Sequence, residues 1–370
     1  MHVIFLCPHF PANQRHFVRG LKNVGARVTG LCDARLENID HEVRGLLDDY
    51  EYVPNIGDLD ALTDGVRRIQ RRGPWVHRFE ATVESHMLHC AAVRERTKIP
   101  GTPWEVVERC RDKFLMKQFL RERGIPCARN AAVSTPEQAF AFAQEVGYPL
   151  ILKPRDGAGA SGTHKVVDDA SLWTALREEG LDRRPASFTM EEFIVGHEGF
   201  IDTLTVGGQV AFEGICHYYP GVLEAMRTRD CSPQIVHTNR IDEPGYAALR
   251  QLGRRVIGEL GLETSPTHME WFYGPKGLSF SEIGARPPGC TVWDIYCEAN
   301  DLDLYTEWAR AVCWGDVRHT ASNRLAGGLV ALRPDRDGVI RGYEGVEEAQ
   351  RRYGEHIFKA VLPPQGSRTQ

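Results

Sequence analysis

"ILKPRDGAGASGTHKV", residues 151–166, places a lysine at the end of an apolar run and then three glycines within six residues. A glycine-rich loop beside a lysine ordinarily signals phosphate, because successive backbone N–H groups converge on an anion. In a P-loop the lysine follows the glycines and a Ser or Thr comes next, opening a helix. Here Lys153 precedes the glycines, and the chain returns to an extended "HKVV". The order predicts a hairpin carrying Gly157, Gly159, Ser161 and Gly162 between two antiparallel strands, with Lys153 on the strand that feeds it. A plain surface hairpin has the same composition, so the stretch needs partners before it means a nucleotide.

Two carboxylates supply them. Glu270 in "HMEWF" and Glu282 in "SFSEIG" lie on consecutive strands joined by "YGPKG". Strand alternation puts His268 and Glu270 on one face and Met269 and Trp271 on the other. A glutamate on each of two paired strands offers the hard oxygen ligands that Mg²⁺ requires when it bridges nucleotide phosphates. Arg286 follows within "RPPG", a stiff turn that aims a guanidinium at a carboxylate or phosphate. Upstream, "TMEEFIVGHEG" (189–199) presents an extended backbone edge that suits an adenine, with Glu198 beyond a glycine-containing turn. His268 is either a base or positioning group in the site or a histidine hydrogen-bonded within the sheet.

The order of the pieces is more specific than any one of them. Lys113 in "CRDKFLMKQFL" is followed by "PLILKPRDGAGASG", "MEEFIVGHE", "HMEW" and "SEIGARPPG". This series resembles the ATP-grasp superfamily, in particular its carboxylate–amine ligase branch, typified by L-amino acid ligases. The resemblance implies an α+β ATP-grasp fold behind an α/β, Rossmann-like (pre-ATP-grasp) domain. It implies that Lys113 and Lys153 contact nucleotide phosphates under a flap at 157–162. It also implies that Glu191, with backbone groups of Glu192 and Ile194, holds the adenine, and that Glu198 holds the ribose. Glu270 and Glu282 would bind Mg²⁺, with Mn²⁺ an acceptable substitute, and Arg286 would face the transferring phosphate or the substrate carboxylate. The chain departs from the superfamily pattern at Gly284, where many members carry an asparagine that adds a third metal ligand.

The implied activity is ATP-dependent activation of a carboxylate, an amino acid or small acid, as an acyl phosphate that an amine then attacks. "HYYPGVLEAMRTRDCSPQ" (217–234) is a lid candidate besides the flap at 157–162, and its Arg227 and Arg229 either reach an anionic substrate or are exposed loop arginines. A carboxylating enzyme working through carboxyphosphate, and a non-catalytic ATP-binding module, remain as alternatives.

The rest of the chain is consistent with such an enzyme. Its 370 residues carry a net charge of −5, which gives no general attraction to nucleic acid or anionic lipid. "HVIFLC" (2–7), a helical pattern through Phe17, Leu21 and Val24, and "RVTGLCD" (27–33) predict a β–α–β unit that lacks GxGxxG. Expected boundaries are 1–98 for this domain, 99–186 for a small subdomain bearing the flap, and 187–370 for a large subdomain with the metal site. Helices are expected at 104–123 and 300–314 and a strand at 75–79. The ten cysteines show neither a CxxC pair nor a linear Cys/His zinc spacing, so they read as reduced apolar residues. No apolar run has the length of a signal peptide or membrane span, which makes a cytoplasmic enzyme the expectation. The expected partners are small-molecule acid and amine substrates, neither nucleic acid nor membrane, in a monomer or homodimer.

Overall fold

The computed structural model describes every residue except Ala158, Ala160 and Gln370, so two positions of the expected flap lie outside the described residues. The chain opens with a four-stranded parallel sheet, β1 (His2–Leu6), β2 (Arg27–Cys32), β3 (Asp49–Tyr52) and β4 (Arg78–Glu80), in the order β3-β2-β1-β4. All five residues of β1 are buried, as a strand covered on both faces requires. The helix Gln14–Asn23 buries Phe17 and Leu21 of the expected stripe and Val18 beside them, while Val24 falls on the half-buried residue just after the helix. The strand expected at 75–79 is shorter and later: only Arg78–Glu80 pairs with β1, and Trp75 stays 72 % exposed just after Pro74.

The helix expected across 104–123 is two helices, Trp104–Arg111 and Lys113–Glu122. Asp112 separates them because its side chain accepts from the N–H groups of Phe114 and Leu115, a helix N-cap that leaves its own backbone extended. The same carboxylate takes both ends of the Arg155 guanidinium, at 3.1 and 2.5 Å. That ties the start of the second helix to the base of the glycine hairpin.

A second sheet is antiparallel, with β5 (Asn130–Val133), β6 (Leu150–Pro154), β7 (His164–Val166) and β8 (Phe188–Glu192) in the order β5-β8-β6-β7. Strands β6 and β7 flank the glycine stretch as the sequence predicts. Gly159 and Gly162 sit at φ +62° and +65°, backbone that favours residues without a Cβ.

The third sheet has six strands, β9 (His197–Val206), β10 (Gln209–Tyr219), β11 (Gln234–His237), β12 (Ser265–Gly274), β13 (Gly277–Gly284) and β14 (Gly327–Val330). Its order is β13-β12-β9-β10-β11-β14, antiparallel throughout. The β12–β13 hairpin forms through "YGPKG" as expected, and a second hairpin joins β9 to β10 with Gly207 and Gly208 at positive φ.

The sequence reading missed the helix Val292–Asn300, which follows the "RPPG" turn and buries Trp293, Ile295 and Tyr296. Together with Leu304–Trp314 it packs an aromatic cluster onto the N-terminal helix: Phe17 lies 5.1 Å from both Trp293 and Trp308, and 4.9 Å from Tyr305, between ring centroids. Among the described residues no helix is long and apolar enough to cross a membrane, and all ten cysteines are free thiols.

Candidate active site

A cleft of about 980 Å³ opens between the second and third sheets, and Lys113, Lys153, Glu191, Glu198, His268, Glu270, Glu282 and Arg286 all line it. Its floor is the β12–β13 hairpin. Glu270 and Glu282 are direct partners in the ladder, and His268 is opposite Gly284. A β-bulge follows at once, because Trp271 pairs with Phe280 instead of Ser281. Residues two apart on a regular strand share a face, yet Glu282 faces the cleft while Phe280 is buried in the core. The extra residue, Ser281, re-aims the chain and lets one short strand serve both surfaces.

Lysines surround the carboxylates. Lys153 Nζ lies 3.6 Å from Glu282 and 3.1 Å from Glu191, and Lys113 Nζ is 3.9 Å from Glu282. Lys113 also donates to the Gly157 carbonyl, as does Arg111 at 3.3 Å, so the hairpin is held at its entrance. A third lysine, Lys117, is ion-paired with Glu191 and only 1 % exposed. The sequence reading missed it, although its i+4 spacing from Lys113 puts both on one helix face.

Glu191 therefore stands as the buried counter-ion of two lysines, with its carboxylate turned to Lys117 and Lys153 and its second oxygen unpartnered. The two lysines hold its carboxyl below the usual range despite burial. Glu192 is paired instead with Lys276 at the hairpin turn and lies 3.7 Å from Arg129. Ile194 and Val195, just past the end of β8, line the cleft edge, and Glu198 Oε2 accepts from the Val222 N–H at 2.7 Å.

The carboxylates fall into two electrostatic classes. Burial alone would raise Glu282, but Lys113, Lys153 and Lys117 outweigh it and hold the carboxyl at about 2. Glu270 is pushed up to about 7 by burial, then by the charges of Glu282 and Glu198. Glu198 likewise reaches about 7, chiefly through burial. Two glutamates facing each other with one driven toward neutrality are under-compensated for positive charge. Their oxygen-only donor set, with the orphaned Glu191 oxygen nearby, fits a hard divalent cation.

His268 is held from behind. Its Nδ1 is 2.7 Å from Asp202 Oδ1, and the other Asp202 oxygen accepts from the Tyr296 hydroxyl at 2.6 Å. The second ring nitrogen faces Glu270 at 3.8 Å. Asp202 escaped the sequence reading because it sits alone in the apolar and threonine-rich "GFIDTLTV".

Arg286 donates from Nε to Glu84 at 2.5 Å and from Nη1 to the Pro287 carbonyl at 2.9 Å. Glu84 comes from the N-terminal unit and also lies 3.7 Å from Arg111. A Cβ on Gly284 would meet Glu84 Oε2 at 3.1 Å, so the bare side of this glycine is approached by a carboxylate from the N-terminal part of the chain. On the 217–234 segment, Arg227 lines the cleft, whereas Arg229 is tied to Asp337 at 2.6 Å.

Residues 112–204 match the family model for the ATP binding domain of the carbamoyl-phosphate synthase L chain. The chain is 27 % identical over 309 residues to an L-arginine-specific L-amino acid ligase of Bacillus subtilis, covering 82 % of this chain and 73 % of that protein. The L-amino acid ligase of Bacillus licheniformis superposes with a TM-score of 0.74 at 20 % identity, over 95 % of this chain and 84 % of that one. A biotin carboxylase domain from Hydrogenobacter thermophilus, solved with ADP, its magnesium salt and bicarbonate, gives 0.68 at 17 % identity, over 92 % of this chain and 75 % of that one.

Proposed function

We propose that this chain, which has the ATP-grasp fold, is an ATP- and Mg²⁺-dependent ligase that joins the carboxylate of an amino acid or small acid to an amine. The observation that carries the reading is the Glu270–Glu282 pair facing Lys153 and Lys113 at the mouth of the glycine hairpin. The arrangement combines a carboxylate metal cradle with fixed cations, which phosphoryl transfer needs and a passive surface does not.

A carboxylate cannot be attacked productively by an amine, because oxide is no leaving group. Its oxygen instead attacks the γ-phosphorus of ATP. The bond to ADP breaks, and an acyl phosphate forms. The amine then attacks the acyl carbon, the C–N bond forms, the C–O bond to phosphate breaks, and inorganic phosphate leaves. Lys113 and Lys153 hold the phosphate oxygens, and the extended backbone at 192–194 offers the adenine its hydrogen bonds, with Glu191 fixing the lysines from beneath. Glu270 and Glu282 would hold Mg²⁺, which supplies charge neutralisation of the phosphates, and the same oxygen ligands suit Mn²⁺. Arg286 orients the acid. His268, kept in one tautomer by Asp202, accepts at Nε2 the proton that the amine sheds. The hairpin at 157–162 excludes water from the labile acyl phosphate. Whether the enzyme acts as a monomer or a homodimer does not alter this chemistry, since every named group lies on one chain.

The test is ADP release by purified protein with ATP and Mg²⁺ over a matrix of amino acids taken in pairs, with mass detection of products. A dipeptide or other amide formed stoichiometrically with ADP is expected. Turnover that requires bicarbonate would replace the reading with a carboxylase, and silence across the matrix with intact nucleotide binding would replace it with an ATP-binding module.

A further inference from the structure

Strands β1 and β2 run parallel with Leu6 opposite Leu31, so the next residues, Cys7 just past β1 and Cys32 as the last residue of β2, stand side by side at the carboxyl edge of the sheet. The Cys7 N–H still donates to the Leu31 carbonyl at 2.9 Å, and the two sulfurs lie 3.3 Å apart. Both thiols are buried. Cys7 holds φ +52°, a left-handed conformation that costs a residue with a Cβ on the order of 1 kcal/mol or more. Beyond the strands, Asp33 Oδ1 comes within 3.5 Å of Cys32 Sγ, and His9 Nδ1 within 3.7 Å. The ligand atoms of Cys7, Cys32 and Asp33 all lie within 4.8 Å of one another.

These separations have a simple reading. A tetrahedral zinc ion with sulfur at about 2.3 Å and nitrogen or oxygen at about 2.0–2.1 Å spaces sulfurs roughly 3.8 Å apart, and sulfur from nitrogen or oxygen roughly 3.6 Å. The Cys32–His9 and Cys32–Asp33 distances already match, the sulfur pair needs to open by about half an ångström, and the His9 ring, which lies outside the mutual group of Cys7, Cys32 and Asp33, has to swing in to complete the tetrahedron. Thiols are weak hydrogen-bonders that pack well as apolar groups, so a buried thiol pair has no need of an imidazole and a carboxylate beside it.

We propose that Cys7, Cys32, His9 and Asp33 form a Zn²⁺ site that staples the segments following β1 and β2, separate from the Mg²⁺ cradle. Its soft sulfur ligands exclude Mg²⁺, just as the oxygen ligands of Glu270 and Glu282 suit it. Binding releases the two thiol protons to solvent, with no redox step.

The experiment uses full-length protein stripped with chelator, in a Cys231→Ser/Cys290→Ser background that removes the two exposed thiols, with excess Mg²⁺ present. One Zn²⁺ per chain is expected. Co²⁺ should give thiolate-to-metal charge-transfer absorption and a tetrahedral d–d spectrum, both displaced by Zn²⁺. Cys32→Ser should weaken binding beyond the about 10–100-fold that loss of an outer-shell partner costs, and His9→Ala should weaken it by about 10-fold or more. A Glu270→Gln/Glu282→Gln variant should retain the Co²⁺ spectrum. Three outcomes overturn the proposal: no charge-transfer band in the parent protein, a band that persists in Cys32→Ser, or two hydrogens lost from the intact mass as a Cys7–Cys32 disulfide without metal. Because the parent spectrum decides by itself, a variant that fails to fold does not rescue the idea.

Discussion

Glu282 and Lys117 carry the clearest consequences at the scale of single residues. Glu282 faces Lys113 and Lys153 and is fully ionised at neutral pH, so in the proposed reading it would serve both as a metal ligand and as the counter-ion of the lysines that hold the phosphates. Glu282→Gln should leave the fold intact and lower ADP formation by about 10²–10³-fold or more. Near-normal turnover would sink the metal assignment. Lys117 acts underneath: burial pushes its ammonium toward neutrality, and Glu191 opposes that shift. Lys117→Met leaves the buried Glu191 with Lys153 alone, and loss of one partner of a buried pair costs about 3 kcal/mol. A fall in the urea midpoint without change in its slope is the expected readout. That Lys113, Lys153, Glu270 and Glu282 share one cleft was legible in the sequence because each ends or alternates along a strand or opens a helix beside recognisable neighbours. Lys117 was not, since a lysine one turn along an amphipathic helix looks like any solvated residue until its face is known.

At the scale of elements, β9 and β10 carry a chain of polar rings beside the cleft. His197 Nε2 and His217 Nδ1 are 2.8 Å apart, and His217 Nε2 is 2.8 Å from the Tyr246 hydroxyl. Burial, and then the His197 ring, lower His217 to about 4, while an unfolded histidine titrates near 6.5. Between those values the unfolded chain binds the extra proton, so stability is full above about pH 6.5 and is lost as pH falls toward 4. The loss from this group is roughly 2–3 kcal/mol, and His217→Gln, which retains hydrogen bonding but no titration, should flatten that part of the profile. Urea midpoints at pH 7 and pH 5 for both proteins check it; parallel slopes would assign the acid sensitivity elsewhere. The bulge between Glu270 and Phe280 is the other element-scale feature. Alternation located Glu270 and His268 on one face, but it could not announce that one extra residue lets Glu282 and Phe280 face opposite ways, because a bulge is a property of a pair of strands.

Across the whole molecule, the N-terminal unit is locked to the rest by close packing. Helices Gln14–Asn23 and Leu304–Trp314 cross so tightly that a Cβ on Gly20 would lie 2.4 Å from the Tyr305 carbonyl oxygen. Glycine to alanine inside a helix ordinarily stabilises by about 0.5–1 kcal/mol. Gly20→Ala should instead destabilise by about 1–3 kcal/mol, because the obstacle is backbone and cannot rotate away. Thermal melts give the sign directly, and a raised midpoint would refute the crossing. The same docking brings Glu84 to Arg286, 202 residues away in sequence.

What the sequence determined by itself is local: a parallel β–α–β opening, an antiparallel hairpin carrying glycines after a lysine, and two glutamates on paired strands. Each follows from periodicity and turn chemistry that span at most a few dozen residues. What only the tertiary structure decided is which distant groups meet. Asp202 stands behind His268, Lys117 beneath Lys153, Glu84 at the bare side of Gly284, and Cys7 beside Cys32. A hydrophobic pattern records which face of an element is buried, but not the neighbour it is buried against. Register and chain crossing set that neighbour, and they exist only once the sheets have formed.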